Sequence, residues 1–234
     1  MTKSVCYTLS RNIYQDVIPS LKSLLKNGNI DWVYLVTEDD DVGFDLPDRV
    51  ITVKVDPTSY FQPDGPNYNC RWTYMVLMKT VMPYLFPKHK RILTLDVDTI
   101  VRGDLSPMWD LDMGDNYVAG AIEPYWVNQQ QGTPYINAGV IMWNLEKYRG
   151  KMCDTVIQSL NAEHWGLVEQ ACINSFCKGK ILPIGPEWNA GDWTGMLPDD
   201  QVRIRHRMAS KGTWKTEPEV EMYRWMTWEE VFRK

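Results

Sequence analysis

Two carboxylates stand where a buried strand is predicted to end. The apolar run RILTL, which begins at Arg91, is the most continuous strand signal in the chain, and it leads into Asp96 and Asp98. Side chains alternate along a strand, so these carboxylates point the same way, about 7 Å apart. Like charges at this distance repel each other unless a cation neutralises them. Hard carboxylate oxygens select Mg²⁺ or Mn²⁺, so the pair predicts a divalent metal that holds a diphosphate.

Two further Asp-x-Asp pairs have a plainer explanation. Asp39 and Asp41 belong to a run of four consecutive acidic residues, which is typical of a solvated loop. Asp110 and Asp112 lie among turn residues in the segment WDLDMGD, without a strand signal before them. The pair that follows RILTL is therefore the candidate metal site, because ligands of open α/β sheets bind just beyond the carboxyl ends of the strands.

A third candidate ligand is His206, in the segment QVRIRHRM at 201–208. Alternation places three arginines on one face, which is expected to be solvated, and His206 on the other face with Val202, Ile204 and Met208. His206 is therefore predicted to point inward. A hydrogen-bonded core histidine explains this position as readily as a neutral imidazole on Mn²⁺, and the pattern leaves both explanations open.

The residues after His206 are suited to an anion. No acidic residue occurs between positions 202 and 216, and this stretch supplies Lys211 and Lys215 with Gly212 between them. Ammonium groups beside a metal ligand favour a phosphate group. The stretch thus predicts the second half of an anion-binding site.

Composition narrows the class of protein. The 234 residues are 44% apolar and 24% charged, which is ordinary for one globular α/β domain. A net charge of -5 provides no basic surface, so nucleic acid is not an expected partner. The five cysteines lack metal-type pairing and predict free thiols in a reducing compartment. With no apolar signal or membrane-spanning run, the sequence predicts a soluble, cytoplasmic protein.

The C-terminal segment, residues 217–234, has two interpretations. Its aromatic and methionine residues would suit a helix that lies on a membrane surface. Its five glutamates oppose an anionic membrane, so packing onto the domain is the favoured interpretation. We therefore treat residues 1–234 as a single domain that ends in a packed helix.

Strand and helix patterns alternate along the chain, which predicts an α/β fold with an open, mostly parallel twisted sheet flanked by helices. The predicted strands are 4–9, 32–37, 50–55, 91–98, 117–122, 135–143 and 201–208. The predicted helices are 18–26, 72–85, 145–160, 167–176 and a Trp-rich helix at the C-terminus. A glycine in the strand 135–143, Gly139, implies that another group approaches the backbone closely.

Six segments together resemble glycosyltransferase family 8, which includes glycogenin and the bacterial lipopolysaccharide galactosyltransferases. These segments are YTLSRNIY, LTLDVDTIVRGDL, PYINAGVIMWNLEKYR, VEQACIN, EWN and HRMASKGTW, and the resemblance extends over about residues 7 to 214. It implies a GT-A (nucleotide-diphospho-sugar transferase) fold and a retaining, metal-dependent hexosyltransferase. The implied donor is a UDP-sugar, with glucose or galactose as its sugar, and the implied acceptor is a hydroxyl group of a saccharide, glycan or other molecule.

The resemblance also implies roles for individual residues. Those that would bind the metal are Asp96, Asp98 and His206. Those that would bind the donor are Thr8, Leu9, Asn12, Tyr14, Lys79, Asp96, Val97, Asp98, Asn137, Ala138, Gly139 and Lys211. Glu169 and Gln170 stand at the catalytic Asp-Gln motif, where glutamate replaces the family's aspartate. The closing histidine motif departs further, because Lys211 comes one residue early and Thr213 replaces a proline.

The implied mechanism retains the configuration of the sugar. A carboxylate nucleophile normally achieves this, but Gln170 is a poor nucleophile because its amide oxygen carries no full charge. We therefore prefer a front-face substitution in which the UDP oxygen helps to deprotonate the acceptor, while Glu169 orients the sugar or acts as a nucleophile. A sugar nucleotidyltransferase would need a glycine-rich phosphate loop, and YTLSRNIYQ contains no glycine. Residue spacing does not exclude a glycoside hydrolase, but this function leaves the metal motif unexplained. A non-catalytic carbohydrate-binding module would explain the many aromatic residues but not the inward His206.

Overall fold

The structure, a computed structural model, describes residues 1–70, 72–123, 134–191, 197–207 and 213–233. Its strands are β1 (Ser4–Leu9), β2 (Trp32–Thr37), β3 (Val50–Lys54), β4 (Arg91–Leu95), β5 (Thr99–Val101), β6 (Val118–Ile122), β7 (Ile136–Asn144), β8 (Ile181–Ile184) and β9 (Ile204–His206). Among the described residues, seven strands form one sheet in the order β3-β2-β1-β4-β7-β6-β8, and β5 pairs with β9 separately.

Helices cover both faces of this sheet. The α-helices are α1 (Val17–Asn27), α2 (Met82–Leu85), α3 (Pro107–Asp110), α4 (Leu145–Tyr148), α5 (Lys151–Ala162), α6 (Val168–Phe176), α7 (Pro218–Trp225) and α8 (Trp228–Phe232). Short 3-10 helices are formed by Arg11–Ile13, Pro57–Ser59, Tyr74–Val81, Pro186–Trp188 and Thr213–Thr216. The predicted α/β architecture is therefore present.

The central strands are buried on both faces. Every residue of β1 is buried, and its sequence, SVCYTL, accordingly contains no charged residue. Its odd-numbered side chains, such as Tyr7, pack with α1, and Cys6 packs on the other face with the Tyr74–Val81 helix, α5 and α6. Two apolar layers thus hold the strand ends that carry the polar residues.

The direction of β7 decides what meets at one edge of the sheet. β7 is antiparallel to both β4 and β6, whereas the other four neighbouring pairs of the sheet are parallel. The carboxyl end of β4 therefore lies beside the amino end of β7, and Leu95 is paired with Val140. As a result, Asn137, Ala138 and Gly139 lie next to the residues that follow β4.

Several predicted boundaries were wrong for identifiable reasons. The strand predicted over 91–98 ends at Leu95, because the chain turns there and pairs β5 with β9 instead of continuing along β7. The helix predicted over 145–160 is divided into α4 and α5, because Gly150 between them has a left-handed backbone with φ 75°. The helix predicted over 72–85 is a 3-10 helix that continues into α2.

The strand predicted over 201–208 is shorter than its alternating pattern, although the predicted faces are present. Val202, Ile204 and His206 are buried, and Met208 lies outside the described residues. The opposite face is not simply solvated, since Arg205 pairs with Asp199 at 2.7 Å. Ion pairs therefore hold the outer side of β9 against its surroundings.

The C-terminal helices pack onto α1. Lys22, on α1, donates hydrogen bonds to the carbonyl oxygens of Arg224 and Met226, at 2.9 and 2.5 Å. Val220, on α7, is fully buried, and Val231, on α8, is buried as well. None of the helices that the structure describes has the length and apolar character needed to cross a membrane.

This packing predicts the stability cost of trimming α7. Val220→Ala removes buried methyl groups and is expected to lower the free energy of unfolding by about 2 kcal/mol, measured by urea denaturation. Met222, on the same helix, is 51% exposed, so Met222→Ala is the control and should change stability by less than about 0.5 kcal/mol. Equal losses in the two variants would contradict the packing.

Candidate metal centre

The turn after β4 brings two carboxylates and an imidazole together. The backbone N–H of Asp96 donates to the carbonyl of Gly139 at 2.8 Å, which holds the turn against β7. Thr99 is paired with His206 across β5 and β9. His206 Nε2 therefore lies 3.1 Å from Asp98 Oδ1 and 3.8 Å from Asp96 Oδ2.

The three side chains fit one divalent ion. A carboxylate oxygen of Asp96, one of Asp98 and a ring nitrogen of His206 all lie within 4.8 Å of one another. Ligand bonds of about 2.1 Å separate the ligand atoms of one octahedral ion by about 3 to 4 Å, so only small adjustments are needed. Two carboxylate oxygens and one imidazole suit Mg²⁺ or Mn²⁺.

The imidazole of His206 is buried and responds to the two carboxylates. Burial is the largest influence on its pKa and opposes protonation, but Asp98 and Asp96 together outweigh burial, so the pKa of His206 is raised above its ordinary value. Burial likewise acts to raise the pKa of Asp98, yet His206 outweighs it and the pKa of Asp98 is lowered. A cation at Nε2, either a proton or a metal ion, is thus favoured here.

Lys79 neutralises Asp96 from the side away from His206. Its ammonium group is buried and lies 2.5 Å from Asp96 Oδ1, 3.2 Å from Glu169 Oε1 and 3.2 Å from the carbonyl of Ala138. Burial alone would lower its pKa, but the two carboxylates outweigh burial and raise it. Lys79 therefore stays protonated and occupies one oxygen of Asp96, which leaves the other oxygen toward the metal site.

Glu169 and Gln170, at the start of α6, differ sharply in their surroundings. Glu169 is buried, and burial raises its pKa despite the opposing charge of Lys79. Gln170 Oε1 accepts hydrogen bonds from Asn137 Nδ2 at 3.1 Å and from the Ala138 N–H at 2.9 Å. Gln170 Nε2 donates to Glu123 Oε2 at 2.8 Å. The amide oxygen of Gln170 is therefore already committed to two donors.

A cavity of about 340 Å³ opens onto the metal site. Thr8, Val97 and the two aspartates line it, and so does Lys215, which the sequence placed beside an anion. Ile13 and Trp72 are among the lining residues that the sequence reasoning did not assign to the site. Trp214, the last residue of the segment HRMASKGTW, lines it as well. An ion pair holds Lys215 to Asp16 at 2.6 Å, whereas Lys211 lies outside the described residues.

The residues expected to face the nucleotide divide into three groups. Asn12 lines a neighbouring cavity of about 350 Å³, which shares Trp72 with the first. Leu9 is fully buried in the apolar core. The hydroxyl of Tyr14 accepts hydrogen bonds from the N–H groups of Glu38 and Asp39, so Tyr14 braces the loop after β2. Neither Leu9 nor Tyr14 lines the two cavities.

The absence of a side chain at Gly139 leaves the space that the imidazole of His206 occupies. A Cβ atom on Gly139 would lie 1.9 Å from Cε1 of His206, so the imidazole rests directly on the glycine backbone. The close approach expected at Gly139 is thus made by the imidazole. Asn189, which sequence reasoning noted only within EWN, lies behind the ring, with its Oδ1 2.8 Å from His206 Nδ1. Apart from the EWN segment, the sequence offered only one indication of Asn189, which is an asparagine among apolar and turn residues.

Comparison with known proteins identifies relatives of this chain. The family model described as Glycosyl transferase family 8 matches residues 33–202. Glycosyltransferase GlyE of Streptococcus pneumoniae is 26% identical over 190 residues, 73% of this chain and 43% of that protein. General stress protein A of Bacillus subtilis is 28% identical over 114 residues, 43% of this chain and 39% of that protein. The chain thus spans less than half the length of these two relatives.

Solved structures share the fold. The galactosyltransferase LgtC in complex with donor and acceptor sugar analogs matches with a TM-score of 0.74 at 18% identity, over 94% of this chain and 95% of that chain. Crystalline GlyE matches with a TM-score of 0.75 at 19% identity, over 99% of this chain and 62% of that chain. The GT-A type fold expected from the sequence is confirmed by these matches.

The contact between Gly139 and His206 predicts the effect of one methyl group. Gly139→Ala should displace the imidazole and weaken Mn²⁺ binding at least about tenfold, measured by isothermal titration calorimetry. Gly166→Ala is the control, because nothing lies within 4 Å of a Cβ at Gly166. Unchanged Mn²⁺ binding in a folded Gly139→Ala protein would contradict the role assigned to this contact.

The raised pKa of His206 predicts opposite pH responses with and without metal. Protons and Mn²⁺ compete for Nε2, so Mn²⁺ affinity should fall about tenfold per pH unit below the raised pKa. In metal-free protein, the stabilisation from the charged imidazole is fully present below its ordinary pKa of 6.5 and is lost as pH rises through the raised value. Urea unfolding with EDTA or Mn²⁺ measures both responses, and His164→Gln, at an exposed histidine, is the control. Metal affinity that does not vary with pH would count against His206 as a ligand.

Proposed function

Because this chain belongs to glycosyl transferase family 8, we propose that it transfers a hexose, glucose or galactose, from a UDP-sugar to a hydroxyl group of an acceptor. The observation that carries the proposal is the meeting of Asp96, Asp98 and His206 at the mouth of a cavity, at the carboxyl end of β4. Supporting it, LgtC has been solved with donor and acceptor sugar analogs.

The metal site serves the departing nucleotide in this proposal. When bound, Mn²⁺ or Mg²⁺ supplies positive charge that stabilises the diphosphate as the glycosidic bond breaks. Asp96 and Asp98 hold this charge at the cavity, and the ion pair with Lys79 orients Asp96. Lys211, which lies outside the described residues, is proposed to add a further positive charge beside the phosphates.

The two neighbouring cavities, which share Trp72, suggest how the donor is arranged. We place the diphosphate beside Asp96, Val97 and Asp98, and the uridine toward Asn12 in the neighbouring cavity. Tyr68 and Tyr74 stack with ring centroids 4.6 Å apart, and both line that second cavity. Their flat apolar surface suits a nucleobase. Thr8 lines the first cavity, whereas Leu9 and Tyr14 would support the loop from behind.

Retention by front-face substitution is the mechanism that these side chains favour. The amide oxygen of Gln170 already accepts two hydrogen bonds, which leaves it a poor nucleophile. The carboxylate of Glu169 is bonded to Lys79 within the protein interior. We propose that Asn137 and Gln170 position the donor sugar, while an oxygen of the departing UDP accepts the proton of the acceptor hydroxyl.

A panel of UDP-sugars tests this proposal through slow donor hydrolysis. UDP release is expected from UDP-glucose or UDP-galactose in the presence of Mn²⁺, and EDTA should abolish it. Asp98→Asn should lower the rate at least about 100-fold, since several kcal/mol of charge stabilisation depend on the metal. Asp110→Asn, an exposed aspartate of another Asp-x-Asp pair, should retain the parental rate.

Two outcomes would sink the proposal. The first is an Asp98→Asn protein that releases UDP at the parental rate with the same Mn²⁺ dependence. The second is release of pyrophosphate from a sugar phosphate and UTP without any UDP release, which would place the chain among nucleotidyltransferases.

A further inference from the structure

A buried asparagine lies directly behind the imidazole of the metal site. Asn189 follows the 3-10 helix Pro186–Trp188 and is fully buried. The backbone beside it is fastened to β9, because Ala190 N–H donates to the carbonyl of Ile204 and His206 N–H donates to the carbonyl of Ala190, each at 2.9 Å. The side chain of Asn189 is therefore held at a defined distance from the ring that β9 carries.

A backbone N–H group determines which way this amide is oriented. The N–H of Gly139 donates to Asn137 Oδ1 at 2.9 Å, so that atom acts as an acceptor. The atom of Asn189 that lies 3.0 Å from the same oxygen must be a donor, which is Nδ2. Asn189 Oδ1 is then the atom that faces His206 Nδ1, at 2.8 Å.

The hydrogen bonds on the far side of Asn137 require the same orientation of the amide groups. Asn137 Nδ2 donates to Gln170 Oε1, which also accepts the N–H of Ala138. Gln170 Nε2 in turn donates to the carboxylate of Glu123. Two backbone donors and one carboxylate thus set the same polarity, and reversing any amide would set donor against donor or acceptor against acceptor.

The consequence falls on the two nitrogens of His206. Asn189 Oδ1 can only accept, so Nδ1 must carry a proton. A neutral imidazole has a single N–H, and its Nε2 then presents a lone pair toward Asp98 and Asp96 at 3.1 and 3.8 Å. A lone pair aimed at two carboxylates is repelled by them, and a cation that lies between them removes this repulsion.

We propose that Asn189 is a positioning residue that selects the Nδ1–H tautomer of His206 and so presents Nε2 to the metal ion. This inference deepens the proposed function and rests on it. Without an acceptor at Nδ1, the proton would move to Nε2 and donate to Asp98, and the tautomer would then oppose metal binding. Partners of this kind typically contribute 10- to 100-fold to metal affinity.

Two substitutions separate positioning from simple structural support. Asn189→Leu removes the acceptor while filling a similar volume, and we expect Mn²⁺ affinity to fall roughly 10- to 100-fold by calorimetry. Asn189→Asp keeps an acceptor for Nδ1–H but turns a carboxylate oxygen toward Asn137 Oδ1, so it should lower the melting temperature while retaining Mn²⁺ affinity within about threefold. If Mn²⁺ affinity instead follows melting temperature in both variants, Asn189 is merely structural and the proposal fails.

The tautomer itself can be observed in metal-free protein by ¹⁵N NMR of the imidazoles. The chain contains three histidines, so His206→Gln assigns the signals of His206 by their loss. At a pH above the titration of His206, the parent should show a protonated Nδ1 and an unprotonated Nε2, and Asn189→Leu should show the reverse. An Nε2–H tautomer in the parent would overturn the proposal, even if Asn189→Leu failed to fold.

Mn²⁺ binding and the NMR tautomer test the proposed activity and the role of Asn189 separately. A parent protein that binds no Mn²⁺ would refute the metal-dependent function, and the NMR tautomer would still decide the role of Asn189. A parent that binds Mn²⁺ equally as well as a folded Asn189→Leu protein would refute the positioning role alone.

Discussion

An imbalance of charge at the end of β4 is the constraint on which the site depends. Among the described residues, the carboxylates of Asp96 and Glu169 pair with the ammonium group of Lys79, which also acts electrostatically on Asp98. One lysine cannot neutralise three carboxylates, and oxygens of Asp98 and Asp96 face the imidazole of His206 at 3.1 and 3.8 Å. The local energetics therefore favour a cation here, either a proton on His206 or a metal ion. A bound metal ion would complete an arrangement of charges that folding alone leaves unbalanced.

The strand directions in the sheet bring these groups together. An antiparallel β7 places Asn137, Ala138 and Gly139 beside the end of β4, where a parallel strand would have placed its opposite end. The small β5–β9 pair carries His206 back to the same point from late in the chain. Polar side chains thus arrive from three separate parts of the sequence, and the two apolar layers of the core keep their backbones fixed.

The sequence predicted those parts of the fold and of the candidate site where apolar and polar residues alternate regularly. The strands Ser4–Leu9 and Trp32–Thr37 were predicted with their observed bounds, and alternation alone placed His206 on the buried face. The end of β4 was missed because an apolar run does not show where a strand changes partner. The bond between Lys79 and Asp96, and that between Asn189 and His206, join residues far apart on the chain, and residue spacing carries no information on such pairs. Tyr14 shows the same limit, since its hydroxyl supports a neighbouring loop.

The contact between Gly139 and His206 has a consequence for how such sequences can diverge. The ring occupies the space that any side chain at position 139 would need. A larger residue at 139 is tolerable only if position 206 loses its ring at the same time, and a chain that loses the ring also loses the proposed metal ligand. A single substitution at position 139 is therefore excluded by the ring, and a single substitution at position 206 removes the imidazole. Substitutions at the two positions are therefore expected to be coupled, and sequences that keep the proposed metal site are expected to keep both residues.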